Sequence, residues 1–412
     1  MLAAAIEPLI GGELPIRLIA WDGSIAGPAG APVVWLRSAP ALRRMLWCPS
    51  ELGAAQAYVC GDLDVDGDLV SALDRVWSQI AAGRLKPIRP SPAMMARLCA
   101  VAARLGAFGR PLPPLAAQAR IRGRLHTLSR DRAAIRHHYD LSNAFYRLIL
   151  DRSMTYSCAF FDPVRPGINL EEAQRDKLDR ICWRLGLDQK PGMRLLDVGC
   201  GWGSLSLHAA EHYGARVLGV TLSAEQQDYI ETALAERGLH DRVEVRVQDY
   251  RDITDGPFDA AASIEMGEHV GRQNYSTFAR LLHRCVRPGA RVLIQQMSRR
   301  GGHPGGGPFI ESFIAPDMHM RPLGQTIALL EEAGLSTIAV EAMREHYVRT
   351  AEVWLDNLET RWDAAVALIG EQGARVWRLY LAGGRLAFEQ GRMGVDQILL
   401  ARPAAAAQTA AR

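Results

Sequence analysis

The sequence predicts an α/β protein: a Rossmann-like, doubly wound sheet preceded by a smaller α+β domain. Two observations carry the larger part. From residue 190 onward apolar strand-like runs alternate with helical stretches, and the first such run, MRLLDVG, ends in the glycine-rich loop GCGWGSL. Alternation of this kind buries a parallel sheet between helices and puts ligands at the carboxyl ends of its strands. Before residue 80 the apolar runs are shorter and broken by turn residues, the pattern of a small mixed module.

Within residues 1–80, IRLIAWDGS, APVVWLRS and DLDVDGDL read as strands and turns around helical LRRML and ELGAAQAYV. Residues 81–135 read as a basic linker, in which SPAMMARLCAVAARLGAFG has the period of an amphipathic helix and GRPLPPLAAQ is Pro-rich. HTLSRDRAAIRHHYDLSNAFYRLIL resumes helical periodicity and leads into the larger domain, residues 136–402. There ARVLGVTLS, VEVRVQDY, FDAAASIEM and ARVLIQQM are further strands with helices between. GGHPGGGPFIESFIAPDMHMRP predicts a mobile lid, because five glycines precede its apolar run. From 346 the pattern is helical until EQGRMGVDQILLAR, a closing strand; 403–412 reads as a disordered tail.

Composition narrows the partners. The chain has 412 residues, 48% hydrophobic and 23% charged, with net charge +3, ordinary for a globular protein of two or three domains. The charge is uneven. Arg84 to Arg136 holds twelve Lys and Arg against Asp131, or +11, leaving 36 basic and 44 acidic residues elsewhere, or −8. Such a stretch suits an anionic phospholipid surface, although a solvated linker is the plainer reading. It lacks the interleaved aromatics of a nucleic-acid binder, and no Asn-Pro-Pro-Tyr-like motif follows the fourth strand, so no nucleic acid is expected. Seven scattered cysteines form no C-x-x-C pair and no zinc spacing, so no metal is expected. Their odd count, and the lack of a basic leader or an apolar span, suggest a cytoplasmic protein that would meet any lipid from the water side.

The loop reads Asp197-x-Gly199-x-Gly201-x-Gly203. Glycines let the backbone turn sharply and approach a ligand closely. An NAD site would prefer a carboxylate at the end of the second strand, where this chain has Val220-Thr221-Leu222. The spacing and the leading Asp instead resemble the class I S-adenosylmethionine (SAM) methyltransferases. After the next strand, Tyr250 can stack on adenine and Asp249 can accept from its amine, though core packing explains Tyr250 nearly as well.

Further stretches resemble one family in order: HHYDLSNAFYRLIL, MTYSCAFFD, EEAQRDKLDRI, GVTLSAEQ, GEHVG, REHYVRT and YLAGGRLAFEQGRMGVDQ. They are similar to the cyclopropane-fatty-acyl-phospholipid synthases of the longer, two-domain type, strongly over 130–402 and loosely before that. The resemblance implies that Tyr156 and Ser157 line the SAM site with Asp197, Gly199, Gly201, Gly203, Thr221, Leu222, Gln226 and Ile264. It places Cys158, Glu268 and Tyr347 in a small polar pocket near the transferred methyl, with Tyr139 facing the same cavity. In many members that pocket holds a bicarbonate ion, proposed as the general base.

SIEMGEHVG departs from that pattern. Members with bound bicarbonate commonly have Gly at the position of Glu265 and His at that of Gln295, which argues against bicarbonate here. The Glu and Gln pair is closer to a sub-branch that makes 10-methylene fatty acids. On this reading Glu265 takes the place and the work of bicarbonate as proton acceptor, Glu268 organises the pocket, and His269 has no catalytic part. The plainer alternative is that Glu265 only binds Gln295 or a Tyr hydroxyl. The implied reaction is SAM-dependent methyl transfer to the cis double bond of a phospholipid acyl chain, giving a cyclopropane or a methylene branch. A methylene product would need a separate reductase for saturation, and the N-terminal module could mediate a homodimer. Two other readings are C-methylation of a non-phospholipid alkene such as a terpenoid, and a non-catalytic SAM-binding membrane module.

Overall fold

The computed structural model describes residues 1–7, 11, 13–85, 91–119, 142–301 and 305–404, with single positions 123, 125, 127, 130, 131 and 134 between. Packing divides the chain into two units. One comprises Met1–Ala119, Pro308–Ile314 and Leu358–Leu386; the other comprises Arg120–Gly307, Ala315–Asn357 and Ala387–Arg412.

The first unit carries a four-stranded sheet of order β2-β1-β3-β4, formed by β1 (Arg17–Ala20), β2 (Ile25–Ala26), β3 (Val33–Leu36) and β4 (Leu63–Asp66). β1 and β3 run parallel, and the other pairs are antiparallel. Burial alternates along β1 and β3, so Leu18, Ala20, Val34 and Leu36 face the core. Helix Pro92–Arg104, from the basic stretch, starts at Ser91, whose side chain accepts from the Met94 N–H, and buries Leu98, Val101 and Ala102 in the same core.

The second unit is built on a seven-stranded sheet of order β10-β11-β9-β8-β5-β6-β7. Its strands are β5 (Arg194–Val198), β6 (Arg216–Thr221), β7 (Val243–Val247), β8 (Phe258–Ile264), β9 (Val286–Ser298), β10 (Ser336–Ala342) and β11 (Gly394–Ala401). β5 to β9 are parallel, while β11 runs antiparallel to both β9 and β10. β11 is the expected closing strand. β10 is an element the sequence reading left out: STIAVEA is an outer strand with a largely exposed surface and no buried alternation to betray it.

Side chains leave the parallel strands to both faces. Leu195, Val217, Ala260 and Leu293 enter one core, while Leu196, Leu218, Ala261 and Val292 enter the other. Residues adjacent along a strand therefore serve opposite layers, as a doubly covered sheet requires. The order reverses between β5 and β8, and the crevice at their carboxyl ends is where such folds bind ligands.

Helix Leu170–Leu185 opens with a capping box, Asn169 with Glu172, and stops at Gly186 in the left-handed region at φ 78°. Those caps set the turns of the helix, and so the face that carries Gln174 and Lys177 inward. Among the described residues no helix is long and apolar enough to cross a membrane.

Candidate active site

Strain marks the site independently of any motif. Among the described residues, the non-glycine residues with positive φ are Met154 (55°), Glu265 (51°) and Asp317 (67°). All three line one cavity, at the carboxyl ends of β5, β6 and β8. Backbone held in this region costs on the order of 1–3 kcal/mol per residue and tends to gather where function needs it. About 1280 Å³ between the lining side chains is free of protein atoms, its open mouth included.

One wall is the glycine loop. Gly199, Gly201 and Gly203 have φ of 80°, 56° and 78°. The N–H groups of Gly199 and Cys200 both reach the Val220 carbonyl at 3.0 Å, tying the loop to β6. Asp197, Gly199, Gly201, Thr221, Leu222, Gln226, Asp249, Tyr250, Ile264, Tyr156 and Ser157 all line the cavity. Gly203 does not: a Cβ there would lie 2.8 Å from Ile230, so it serves helix packing behind the loop.

Asp197 accepts from Ser206 Oγ at 2.8 Å, and burial pushes its pKa up to about 6. Thr221 Oγ1 donates to Gln226 Oε1 at 2.6 Å, so the end of β6 offers hydroxyl and amide groups where a dinucleotide site would offer a carboxylate. Asp249 is already held by Arg251, through the backbone N–H, Nε and Nη2 at 2.7–2.9 Å. Tyr250 meets Phe278 edge-on at 5.7 Å and belongs to the core as well as to the cavity wall.

A second wall is the 151–158 turn. Asp151 accepts from the N–H groups of Ser153 and Thr155, which turns the chain and presents Tyr156, Ser157 and Cys158. Glu265 leaves the end of β8 beside it. Oε1 of Glu265 accepts from the Cys158 N–H at 2.8 Å and from Gln295 Nε2 at 2.8 Å; Oε2 accepts from the Tyr347 hydroxyl at 2.7 Å. Glu265 is 9% exposed and faces the cavity. Burial pushes its pKa up, and the Cys158 N–H, Tyr347, Gln295 and the Lys177 charge oppose that rise. Three donors leave acceptor capacity on the carboxylate.

The structure corrects the sequence reading at several residues. Cys158 contributes its backbone, while its thiol turns away to the carbonyls of Ala159 at 3.3 Å and Met343 at 3.6 Å. Glu268 does not line the cavity and donates nothing to Glu265. It is 1% exposed, and its Oε2 has no hydrogen-bond partner among the described residues. Burial, then the Glu265 charge, pushes its pKa up to about 8. The pair is therefore asymmetric in its partners: three donors and the Lys177 charge favour the anion at Glu265, whereas Glu268 keeps its proton up to about pH 8. His269 lines the cavity, with burial holding its pKa down at about 4. Tyr139 lies outside the described residues.

Sequence reasoning missed three supporting residues. Gln397 Nε2 donates to Gln295 Oε1 at 2.9 Å, which turns the Gln295 amide so that its NH₂ faces Glu265. Arg184 Nη1 in turn donates to Gln397 Oε1 at 2.9 Å, and Arg184 also pairs with Glu341. The third, Lys177, lies in the cavity wall with Nζ 2.7 Å from Ser157 Oγ. Gln397 ends one of the family-like stretches and Lys177 sits inside another, the only sequence signals for either. At the mouth, Arg130 pairs with Asp317 and Arg251 with Asp131. Arg130 of the basic stretch is thus committed to the site and not to a surface.

The buried neutral Glu268 makes stability depend on pH. The folded chain keeps its proton between 4.5 and about 8, whereas the unfolded chain has lost it, so this residue's contribution falls as pH rises across that window. Glu268→Gln removes the term. In thermal melts its advantage over the parent should grow from pH 5 to pH 8.5, by an amount on the order of a few kcal/mol. A difference independent of pH would refute the protonated state.

The pocket fits SAM in its donor set. It offers an aromatic ring and a carboxylate after β7, hydroxyl and amide groups after β6, a close backbone approach at Gly199, and carboxylates near the reaction end that suit a sulfonium.

Comparison with known proteins agrees. The profile of the family described as "Mycolic acid cyclopropane synthetase" matches residues 126–398. A probable fatty acid methyltransferase of Pseudomonas putida is 37% identical over 410 residues, covering 98% of this chain and 96% of that protein. A tuberculostearic acid methyltransferase of Mycobacterium tuberculosis is 32% identical over 406 residues, covering 95% and 88%. Among solved structures, mycolic acid cyclopropane synthase CmaA1 complexed with SAH and CTAB is 32% identical, with a TM-score of 0.61, covering 66% of this chain and 98% of that one.

Proposed function

The chain belongs to the mycolic acid cyclopropane synthetase family, and from that premise we propose that it methylates the cis double bond of an unsaturated fatty acyl chain of a phospholipid, with Glu265 as a built-in base. The observation that carries this reading is the carboxylate of Glu265, held at the cavity wall by Cys158 N–H, Gln295 and Tyr347.

Bound SAM supplies an electrophilic methyl, which the π-electrons of the alkene can attack. The protein's part is position, dryness and charge. Attack leaves positive charge on the neighbouring chain carbon, and the Glu265 anion beside it stabilises that charge. One proton must then leave. Loss from the added methyl to Glu265 closes a three-membered ring; a hydride shift followed by the same loss gives an exo-methylene branch. Tyr347 and Gln295 keep the carboxylate aimed through either course, and Gln397 keeps Gln295 aimed. The Glu265 and Gln295 pairing favours the methylene branch, which a separate reductase would then saturate.

Mass spectrometry of fatty acids from a host expressing the protein, fed methyl-labelled methionine, tests the reading. Phospholipid acyl chains should gain one labelled CH₂, and fragmentation separates ring from branch. Unlabelled acyl chains beside a labelled isoprenoid would move the substrate to a terpenoid alkene; no labelled lipid would overturn the reading.

The reading also places the enzyme at the membrane surface, reached through the remaining arginines of the 84–136 stretch at about 1 kcal/mol each. Liposomes with anionic lipid should sediment the protein and release it in salt. Equal sedimentation with neutral liposomes would count against electrostatic docking.

A further inference from the structure

Lys177 has no part in the proton chemistry, yet it is a lysine only 1% exposed in the cavity wall. A buried ammonium is costly unless its donors are met. It carries three N–H donors, and among the described residues it makes a single hydrogen bond, from Nζ to Ser157 Oγ at 2.7 Å. The carboxyl groups around it, Asp151, Asp197 and Glu265, are bound elsewhere: Asp151 by the N–H groups of Ser153 and Thr155, Asp197 by Ser206, Glu265 by its own three donors.

The charge balance of the cavity points the same way. Its described lining includes five carboxyl side chains, those of Asp131, Asp197, Asp249, Glu265 and Asp317, and Lys177 as the one lysine or arginine. Arg130 and Arg251 stand behind that lining, spent on Asp317, Asp131 and Asp249. An acidic wall suits the sulfonium and the ammonium of SAM. The third charged group of SAM, the methionyl carboxylate, finds a cationic side chain in the described lining at Lys177 alone.

We infer that Lys177, with the Ser157 hydroxyl it holds, is the subsite for the methionyl carboxylate of SAM. Lys177 is then a positioning residue. By fixing the carboxylate end of the donor it sets where the methyl stands relative to the alkene and Glu265. The helix Leu170–Leu185 delivers it from beneath the 151–158 turn, and Gln174, one turn earlier, donates to the Ser157 carbonyl at 2.9 Å and holds that turn in place.

The inference rests on SAM as the donor, and calorimetry with two probes separates it from that premise. SAM and decarboxylated SAM differ by the carboxylate alone. The parent protein should bind SAM roughly 10- to 100-fold more tightly than the decarboxylated form, the worth of one charge-assisted contact. Lys177→Met should remove that preference by weakening SAM, with decarboxylated SAM within about twofold of its parent value. Equal weakening of both probes, or of neither, would overturn the subsite. The parent preference alone decides the matter if Lys177→Met does not fold: equal parent affinities would overturn the subsite too. Absence of any SAM binding by the parent would instead overturn the donor.

Discussion

Glu265→Gln should lower turnover by about 10²- to 10⁴-fold while leaving affinity for S-adenosylhomocysteine within a few-fold. The change keeps the volume and the planar head of the side chain, so the cavity and its glycine loop are left as they are. It removes the charge and the basicity. The Cys158 N–H and Gln295 Nε2, which both point at Oε1, would still find an oxygen if the amide takes the matching orientation. Tyr347 would then face an NH₂ group and have to turn its hydroxyl from donor to acceptor. Product formation measured by mass spectrometry, beside calorimetric binding, separates chemistry from binding. A Glu265→Gln enzyme that turns over at the parent rate would refute Glu265 as the base.

The same donors make a second test of the site. Glu265→Gly removes the carboxylate but leaves the Cys158 N–H, Gln295 and Tyr347 around an empty, dry space. A small anion with the shape of a carboxylate, such as bicarbonate or formate, should enter it and restore part of the activity. A variant indifferent to added anion would mean that the donors do not form an anion site by themselves.

Gly199→Ala should weaken S-adenosylhomocysteine binding by roughly tenfold or more and lower stability by about 1–3 kcal/mol. Gly199 sits at φ 80°, which disfavours any Cβ. A Cβ there would also meet Met266 at 2.8 and 2.9 Å, and Met266 itself lines the cavity. The methionine would have to move into the space the ligand needs. Calorimetry and thermal melts on the variant check both halves. Unchanged affinity would mean that the loop does not approach the ligand as closely as its backbone suggests.

How far the site could be read in advance depends on where its parts lie in the chain. The glycine loop is contiguous, and its backbone demand is written in the residue type, so Gly199 and Gly201 were legible. Thr221 and Gln226 sit five residues apart across one strand-to-helix turn, and local spacing brought them together as well. The departure at Glu265 and Gln295 was also visible, because one directly follows a recognisable strand and the other lies inside one. β8 and β9 place them in register, Ile264 opposite Gln295.

Other parts were not visible. The orientation of Gln295 is set by Gln397, 102 residues away, and Gln397 is steadied by Arg184, 213 residues before it. Nothing in a periodicity reports a hydrogen bond of that span. Which atom of Cys158 faces Glu265 follows from the 151–158 turn and not from the residue's identity. Glu268 carried a motif-like position, yet burial and the neighbouring Glu265 charge outweigh its backbone donors and raise its pKa to about 8. Lys177 lies on a strongly charged helix, LEEAQRDKLDRICWRL, whose composition does not distinguish a buried lysine from a solvent-facing one.

By itself, the sequence determined the parallel strands and closing strand of the sheet, the loop at its switch point and the family, because strand alternation, left-handed glycines and ordered short motifs are local properties of the chain. Only the tertiary structure decided which carboxylate receives the donors, which face of Cys158 is used, and that a lysine stands in the wall of the cavity. Charge state and aim depend on desolvation and on partners brought together from distant segments, and those exist only once the sheet has closed.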